Sequence, residues 1–391
     1  MTEQQTRYLI LGGGAAGVHA AAAIRERDAG GRLLVLTDEE SCKRPMLSKS
    51  PLIRLRREQL ALHGDDWFAD NRIERISNCH IRSLDPAQRF VETDRGAFFY
   101  EKCIYALGGF NFVPPFPGAD LPGVLTVRTA KDLQKLKRYA AESGGAAVIG
   151  GGVIGLEVAL ELRRYGLEVT VLEALPRLMP RQLDPDTSRR LEKLLGEVRI
   201  YTGVTIAEIQ GTDRARAVAL RDGRIFPCGL VAVSCGQKAN VALAQAAGIP
   251  CGRSVIVNER METGVPDLWA CGDCAEVNGF NAALWTQAVA EGAVAGTNAA
   301  GGRKYLGAFD RALVLHGGDV SLFSMGDPGS NPDKHYECRV TERRFDGFSI
   351  NEKPRYAVEK RFYCGGKITG GCILGNLSGM EAMKREIEGE I

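Results

Sequence analysis

Two glycine-rich turns of the same design occur in this chain, and their spacing is that of a dinucleotide-binding site. Residues Gly12–Gly17 and Gly150–Gly155 both fit G-x-G-x-x-G. The first glycine of such a turn permits the sharp bend, the second lets the backbone approach a pyrophosphate, and the third lets the following helix pack closely. The glycines in these roles are Gly12, Gly14 and Gly17 in the first turn and Gly150, Gly152 and Gly155 in the second. Two such turns predict two bound nucleotides and electron transfer between them.

An acidic residue about 20 positions after each turn is placed to bind the ribose of a nucleotide. Asp38 follows the first turn and Glu173 follows the second. A carboxylate accepts hydrogen bonds from both ribose hydroxyls of NAD and repels the additional phosphate of NADP, so Glu173 predicts NADH rather than NADPH. Arg177 and Arg181 follow closely and leave NADPH open as the less favoured cofactor.

Short apolar runs precede and follow each turn, with a helical pattern between them, as expected of a β-α-β unit. The first unit has a strand at Tyr8–Leu11, a helix from Gly14 to about Asp28 and a strand at Arg32–Thr37; the second has a strand at Ala146–Ile149, a helix at Leu156–Tyr165 and a strand at Leu167–Leu172. The sequence therefore predicts an α/β fold with two Rossmann-like dinucleotide-binding domains.

Further segments predict how the chain is divided into domains. The strand-like run Cys103–Gly109 leads into the proline-rich Pro114–Gly118, a composition typical of a crossover between domains. A similar run occurs at Leu230–Gly236, and Phe362–Gly371 reads as a β-hairpin followed by a short helix. We expect a discontinuous first domain at 1–112 and 240–305, a second domain at 113–239, and a small α+β C-terminal domain at 306–391.

Together these segments resemble the pyridine nucleotide-disulfide oxidoreductase superfamily of flavoproteins over nearly the whole chain. The resemblance implies that the first domain binds FAD and that the second binds NAD(P)H. Ala106–Gly108 is similar to the A-T-G crossover of that family, and Gly272-Asp273 is similar to its G-D motif, whose aspartate bonds FAD. Further FAD contacts implied by the resemblance are Gly108, Arg128 in an R-T-x-x-D motif, and the backbone at Ala16 and Ile81.

Two more segments resemble one subgroup of this superfamily. Arg44–Lys49, which reads R-P-M-L-S-K, is similar to a motif of rubredoxin and ferredoxin reductases in which the lysine reaches the flavin ring. Leu284–Ala288, with Gly296–Gly301, is similar to NADH:rubredoxin reductases and to the flavin domain of NADH-dependent nitrite reductases. The resemblance implies an enzyme that takes hydride from NADH onto FAD and passes electrons to a small redox protein such as rubredoxin or ferredoxin.

Three other functions stay open. They are an NADH oxidase or peroxidase, the electron-input module of a nitrite reductase, and a non-catalytic flavoprotein that responds to NAD(H).

Lys49 and Glu157 are the predicted catalytic residues. Glu157 lies early in the helix after Gly155, where the resemblance implies a carboxylate near the nicotinamide, and Lys49 is expected to pair with it across the flavin. Such a pair would orient the ring and stabilise reduced flavin. A carboxylate near a helix N-terminus is also favoured by the helix dipole alone. Trp285 is expected either beside the flavin or in the core.

The cysteines exclude one kind of chemistry. Cys42 lies where disulfide reductases of this superfamily carry C-x-x-x-x-C, but no second cysteine lies five residues away. Dithiol chemistry is therefore not expected, and electrons must leave from the flavin itself. A redox role stays open for Cys42, and for Cys271 and Cys274 in their C-x-x-C spacing. The histidines show no ligand spacing and no second C-x-x-C exists, so no metal site is predicted.

The composition is that of an ordinary globular protein, with 391 residues and a net charge of +2. This charge balance gives no reason to expect nucleic acid binding. No apolar run approaches the ~18 residues of a membrane span, and the first strand begins too early to follow a signal peptide. We therefore expect a cytoplasmic protein, either a monomer or a homodimer.

One segment is strongly basic and contains no acidic residue. Its members are Lys43, Arg44, Lys49, Arg54, Arg56 and Arg57. Close to a flavin, such a cluster would attract a small acidic iron–sulfur carrier such as rubredoxin or ferredoxin. A solvated helix face would explain the same charges.

Overall fold

The computed structural model of the chain describes residues 3–39, 44, 47–48, 57–317, 320–331, 333–345 and 356–390. Contacts among these residues define two compact units. Unit 1 is drawn from Met1–Pro45, Arg56–Phe110 and Gln237–Arg311, and unit 2 from Met46–Leu55, Asn111–Gly236 and Ala312–Ile391.

The described strands and helices alternate around the two glycine turns, whereas elsewhere several strands follow one another. The strands are β1 (Glu3–Leu11), β2 (Leu33–Leu36), β3 (Ile73–Ile76), β4 (Ile81–Asp85), β5 (Phe90–Thr93), β6 (Gly96–Tyr105), β7 (Gly109–Asn111), β8 (Val124–Leu125), β9 (Gly145–Ile149), β10 (Glu168–Leu172), β11 (Arg199–Tyr201), β12 (Ile206–Gln210), β13 (Ala217–Leu220), β14 (Ile225–Pro227), β15 (Leu230–Val233), β16 (Gln237–Ala239), β17 (Val255–Val257), β18 (Leu268–Ala270), β19 (Ala275–Val277), β20 (Leu313–Gly317), β21 (Val320–Gly326), β22 (Glu337–Arg344), β23 (Tyr356–Cys364) and β24 (Lys367–Gly375). The helices are α1 (Ala15–Arg27), α2 (Arg57–Leu60), α3 (Asp65–Asp70), α4 (Ala130–Ala141), α5 (Val153–Arg164), α6 (Pro185–Leu194), α7 (Ala242–Ala246), α8 (Trp285–Ala299) and α9 (Met380–Glu388), with a 3-10 turn at Leu377–Gly379.

Unit 1 is built on a mixed sheet whose central strand is β1. The strand order is β3-β2-β1-β6-β5-β4, and β18 also pairs with β6. The strands β3, β2, β1, β6 and β18 are parallel, whereas β4 and β5 form an antiparallel extension. The residues Leu9–Leu11 of β1 are completely buried, as expected where helices or loops cover both faces of a parallel sheet. The first predicted β-α-β unit is thus confirmed, with β1 beginning five residues earlier than predicted.

Helix α8 covers α1 on one face of this sheet. A Cβ atom at Gly292 would overlap the carbonyl oxygen of Ala16, and one at Gly296 would overlap that of Ala20. The two helices therefore meet backbone to backbone, which only glycine permits at these positions.

Unit 2 contains the second predicted β-α-β unit, which the structure also confirms. A five-stranded parallel sheet has the order β11-β10-β9-β15-β8. Its central strands β9, β10 and β15 are almost wholly buried. Strands β12, β13 and β14 form a separate antiparallel meander. The α/β fold with two Rossmann-like halves is therefore confirmed.

The C-terminal part of unit 2 is an antiparallel sheet followed by a helix. Its strand order is β20-β21-β24-β23-β22, and the tight turn between β23 and β24 is Gly365-Gly366, both with positive φ. Helix α9 follows the last strand. The predicted hairpin and terminal helix are confirmed. The division into three domains stays a prediction, because contacts group the C-terminal sheet with the second nucleotide-binding half.

A buried lysine ties this C-terminal sheet to the N-terminus of α6. Lys360, on β23, is 3 % exposed, and its ammonium donates hydrogen bonds to Asp184 (2.9 Å) and Asp186 (2.8 Å). Burial opposes the charge, yet these hydrogen bonds raise the pKa of Lys360 above its ordinary value. The hydrogen bond from Lys360 also lowers the pKa of Asp186.

Among the described helices, none is both long and apolar enough to cross a membrane.

We predict that Lys360→Met destabilises unit 2, because it leaves the Asp184 carboxylate largely buried without its cation. Removing one partner of a buried pair costs about 3–5 kcal/mol. Thermal unfolding at pH 7, followed by circular dichroism, should show a midpoint lowered by roughly 5–10 °C. Because the pKa of Asp186 is lowered, this stabilisation should be present at neutral pH and lost as pH falls through that lowered pKa.

Arg199→Met is the matched control, since it removes the exposed pair between Arg199 and Glu168. Exposed pairs contribute about 0–1 kcal/mol. Equal midpoints for the two variants would contradict the role given to Lys360.

Candidate functional site

The first glycine turn joins β1 to α1 and forms an open cradle. Gly12 adopts φ +112°, and a Cβ there would overlap the carbonyl oxygen of Ala106. A Cβ at Gly17 would overlap the carbonyl oxygen of Gly12. At Gly14, by contrast, no described atom lies within 4 Å of an added Cβ. The fold itself thus requires the first and third glycines, whereas the middle one faces open space that a phosphate group fits.

The second glycine turn, between β9 and α5, repeats this geometry. Gly150 also has φ +112°, and its Cβ would overlap the carbonyl oxygen of Ser234. A Cβ at Gly155 would overlap the carbonyl oxygen of Gly150, and again no described atom lies within 4 Å of one at Gly152. Two cradles of the same shape therefore lie in the two units.

A glycine occupies the N-cap of both helices that leave these cradles. Gly14 caps α1 and Gly152 caps α5, each in an extended conformation. Their carbonyl groups accept the first helical hydrogen bonds, from Val18 (3.0 Å) and Leu156 (2.9 Å). A glycine has no side chain to accept hydrogen bonds from the first N–H groups of the helix, and the positive end of the helix dipole lies there. Both helix ends are thus suited to an anionic diphosphate.

The acids that follow the two cradles differ in their surroundings. Asp38 is exposed, just beyond β2. Glu173 lies at the end of β10, is 9 % exposed, and accepts hydrogen bonds from the backbone N–H groups of Gly151 (2.6 Å) and Leu175 (2.7 Å). A carboxylate offers about four lone-pair directions, so Glu173 can support the glycine turn and still accept a ribose hydroxyl.

In unit 1 the Gly272-Asp273 turn meets the first cradle. Gly272 has φ +81°, and an added Cβ would lie 2.7 Å from the Cβ of Ala16. Asp273 is half-buried, and its carbonyl oxygen accepts a hydrogen bond from Asn281 (2.9 Å). The structure thus brings the predicted site residues Gly12, Ala16, Gly17 and Gly272 together.

The other predicted residues of unit 1 occupy the ends of elements. Ile81 begins β4 and is half-buried. Cys79, two residues before it, donates its backbone N–H to the carbonyl of Thr37 (3.0 Å), which brings this segment close to Asp38. Gly108 has φ +65° and follows β6. Trp285 begins α8 and packs against the apolar core of unit 1.

The predicted residues of unit 2 include one well-defined buried contact. Glu157, on α5, is 1 % exposed and accepts a short hydrogen bond from the hydroxyl of Ser48 (2.6 Å). The N–H of Arg128 donates to the Asp132 carboxylate (3.1 Å), which also completes the capping box of α4. Sequence reasoning missed Ser48 as a partner of Glu157, although it lies inside the Arg44–Lys49 motif.

Several sequence predictions concern residues outside the described ones. Lys49, Cys42 and most of the basic segment are among them. Arg44 is described, and its guanidinium pairs with Glu39.

The thiols of Cys271 and Cys274 are buried and free. The Cys274 thiol donates to the carbonyl oxygens of Cys271 (3.3 Å) and Tyr105 (3.6 Å). Burial raises the pKa of Cys274 to about 12, and it raises that of Cys271 well above its ordinary value. Since the thiolate is the reactive form, these thiols behave as core residues. No group of three His, Cys, Asp or Glu side chains suited to a metal occurs among the described residues.

Sequence reasoning also missed a buried carboxylate behind the Gly272-Asp273 turn. Glu291, on α8, is completely buried and accepts a hydrogen bond from the N–H of Gly272 (2.7 Å). Burial raises the pKa of Glu291 to about 7. The signal was present, because Glu291 is the single charged residue in the helix α8, which is otherwise rich in small and apolar side chains.

Two matching cradles in one α/β chain define a protein of the two-dinucleotide class, and comparison with known proteins agrees. The family model described as pyridine nucleotide-disulphide oxidoreductase matches residues 6–292. The chain belongs to this family. Membership implies an oxidoreductase that uses FAD and NAD(P)H, and the open glycines Gly14 and Gly152 fit two such cofactors.

Three relatives illustrate the range of functions within the family. An NADH oxidase of Methanocaldococcus jannaschii is 32 % identical over 317 residues, which cover 75 % of this chain and 70 % of that protein. Rhodocoxin reductase of Rhodococcus erythropolis is 37 % identical over 276 residues, covering 68 % and 64 %. The NAD(P)H nitrite reductase of Bacillus subtilis is 34 % identical over 226 residues, which cover 57 % of this chain and only 28 % of that protein.

A solved structure matches almost the entire chain. It is the ferredoxin reductase of the CYP199A2 system from Rhodopseudomonas palustris, with a TM-score of 0.86 and 29 % identity. The match covers 97 % of this chain and 94 % of that one.

The cradle geometry predicts which glycines the fold itself requires. Gly17→Ala and Gly155→Ala should lower the thermal unfolding midpoint of the apoprotein by several degrees, because each Cβ would overlap a backbone carbonyl. Gly14→Ala and Gly152→Ala should leave that midpoint within about 1–2 °C of wild type, because a change of this kind away from packed atoms is worth about 0.5 kcal/mol. Differential scanning calorimetry of the four variants measures the contrast. A loss of stability common to all four would refute it.

Proposed function

We propose that this chain is an NADH-dependent FAD reductase that passes electrons to a small acidic iron–sulfur protein such as rubredoxin or ferredoxin. The observation that carries the proposal is the pair of matching cradles, each with an open middle glycine, within one chain. The likeness to the rhodocoxin and ferredoxin reductases supports a protein acceptor. A cytoplasmic location belongs to the same proposal, and the free thiols of the described cysteines support it.

FAD is assigned to the cradle of unit 1. In that cradle the Gly272-Asp273 turn lies directly against α1, so that a cofactor on the glycine turn would also meet a second binding segment. Residues proposed to bind FAD are Gly12, Gly14, Ala16, Gly17, Asp38, Lys49, Ile81, Gly108, Arg128, Gly272, Asp273 and Trp285. The first domain would then comprise residues 1–112 and 240–305.

The cradle of unit 2 is assigned to NADH. Residues proposed to bind it are Gly150, Gly152, Gly155 and Glu173. Glu173 carries the preference for NADH, since a negative carboxylate at the ribose opposes the additional phosphate of NADPH. Its position does not depend on the cofactor, because the N–H groups of Gly151 and Leu175 already hold it.

FAD, when bound, supplies a ring that accepts hydride from the nicotinamide and releases the electrons singly. The residues of the chain bind the two cofactors and orient them. The N-termini of α1 and α5 would hold the two diphosphates, and Ser48 fixes the direction of the Glu157 carboxylate through their hydrogen bond. Glu157 and Lys49 are proposed to align the reacting rings, a task that depends on geometry rather than on proton transfer. No C-x-x-x-x-C accompanies Cys42, so a protein dithiol does not take part.

A second candidate function is that of an NADH oxidase. The M. jannaschii relative with that name, matched over 70 % of its length, favours it. The two functions share every step up to reduced FAD and differ only in the acceptor.

The experiment that tests the proposal is anaerobic stopped-flow of the NADH-reduced protein against rubredoxin, ferredoxin and oxygen. We expect reoxidation by an iron–sulfur protein to be faster than by air, and to slow steeply between 50 and 500 mM salt (roughly tenfold or more), because opposite charges steer the encounter. Reoxidation by uncharged oxygen in the same salt series is the control. Faster reoxidation by oxygen would favour the NADH oxidase function. A rate of reoxidation that does not depend on salt would contradict electrostatic docking of the carrier.

The nucleotide preference is tested with Glu173→Gln, which keeps the size of the side chain and removes its charge. The ratio of kcat/KM for NADH to that for NADPH should fall by about tenfold, equivalent to about 1.4 kcal/mol. Any disturbance of the glycine turn affects both nucleotides, so the ratio isolates the charge. Glu168→Gln, at the exposed start of β10, is the matched control and should leave the ratio unchanged. An unaltered ratio in Glu173→Gln would assign the preference to other residues.

A further inference from the structure

The buried Glu291 carboxylate contacts the turn that contains Asp273. Its Oε2 accepts the backbone N–H of Gly272 at 2.7 Å. Its Oε1 accepts the side-chain amide N–H of Gln287 at 2.6 Å, one helical turn earlier on α8. Both carboxylate oxygens thus accept N–H donors, an arrangement that suits the ionised form.

Gln287 extends this contact to a second segment. It is 2 % exposed, and its side-chain oxygen accepts the backbone N–H of Ala282 at 2.7 Å. The neighbouring Asn281 donates to the carbonyl of Asp273 at 2.9 Å. Two side chains of α8 therefore connect the Gly272-Asp273 turn to the segment around Ala282.

Close packing leaves this network little freedom to move. Gly292, next to Glu291, allows α8 to touch the backbone of α1 at Ala16, and Gly272 lies against the Cβ of the same residue. A shift of the Glu291 carboxylate would therefore move a turn that lies directly against the first cradle, since packed interiors transmit displacement.

The carboxylate is costly to keep in this position. No described lysine, arginine or histidine forms an ion pair with it, and burial disfavours its charge. An apolar residue or an amide of similar size would avoid that cost. The hydrogen bonds that the carboxylate accepts from the two N–H groups offset this cost.

We propose that Glu291 is a positioning residue of the FAD site: together with Gln287 it holds the turn that presents Asp273 to the cofactor, and so governs how tightly FAD is held. The inference rests on the proposed function only in taking FAD as the ligand of the first cradle. Glu291 acts through the turn and has no role in hydride transfer.

The test compares Glu291→Gln with a double variant in which the two side chains are exchanged, Glu291→Gln with Gln287→Glu. In the single variant, the new amide donor faces an N–H donor, so one hydrogen bond is lost. In the exchanged pair, the amide now at position 291 accepts from Gly272 and donates to the carboxylate now at position 287. The other oxygen of that carboxylate accepts the backbone N–H of Ala282. The exchange thus restores every hydrogen bond and keeps the buried charge one turn away.

The rate of FAD release from the holoprotein is followed by the rise in flavin fluorescence on dilution, and the visible spectrum of bound flavin is recorded. Glu291→Gln should release FAD about tenfold faster than wild type and shift the flavin spectrum, because a charge-assisted hydrogen bond is lost. A tenfold change corresponds to roughly 1.4 kcal/mol. The exchanged pair should return to within about twofold of wild type. Glu276→Gln, which changes another buried carboxylate that accepts a backbone N–H, is the control and should behave as wild type.

Release at the wild-type rate in Glu291→Gln, or no recovery in the exchanged pair, would overturn the inference. If Glu291→Gln fails to fold, the exchanged pair alone decides, since it must then both fold and hold FAD as wild type does. A wild-type protein that bound no FAD would instead refute the proposed function.

Discussion

Direct contact between backbone atoms at a strand-to-helix turn is the constraint on which both nucleotide cradles depend. In each cradle the third glycine meets the carbonyl of the first, and the first meets a carbonyl of a neighbouring strand connection. No side chain fits between them. This contact draws the helix N-terminus against the end of the sheet, so that its N–H groups and the positive end of its dipole face one point. The space over Gly14 and Gly152, by contrast, is open.

The surroundings of the two cradles differ in their electrostatics. In unit 2, Glu173 is held by two backbone N–H groups of the turn region itself, and Ser48 fixes the Glu157 carboxylate. In unit 1, Asp38 is exposed, and the buried Glu291 carboxylate accepts a hydrogen bond from the Gly272-Asp273 turn. Unit 1 therefore places a second turn and a polar network beside its cradle. Such a site suits a resident cofactor, whereas a simpler cradle with a positioned acid suits a nucleotide that binds and leaves.

The C-terminal sheet depends on a different interaction. The ammonium of Lys360 reaches two aspartates at the start of α6, and Gly317 allows β20 to approach Leu160 on α5. Contacts of both kinds make the sheet part of the unit that carries the second cradle. The Lys360 ammonium is tolerated at 3 % exposure because its close hydrogen bonds to both aspartates offset the cost of desolvation.

Most of the architecture was predictable from the sequence. The glycine spacings, the apolar runs and the paired glycines at Gly365-Gly366 specified two β-α-β units and a C-terminal hairpin, because each is a local pattern whose physical cause lies within a few residues. The strand β1 begins earlier than predicted because its first residues pair with β6, and pairing with a distant strand leaves no signal in the local sequence.

The site divides in the same way. The glycines of both cradles and Gly272 could be predicted from the sequence, since backbone conformation and close approach restrict these positions to glycine or leave them open to a ligand. The roles of Asp38, Glu173 and Asp273 as cofactor ligands stay predictions. The tertiary structure was needed to show that Glu291 and Gln287 contact that turn, that Ser48 bonds Glu157, that Lys360 is buried between two aspartates, and that the thiols of Cys271 and Cys274 are buried. Each of these depends on burial and on partners far away in the chain. The type of a residue does not reveal whether its charge or thiol is buried or exposed.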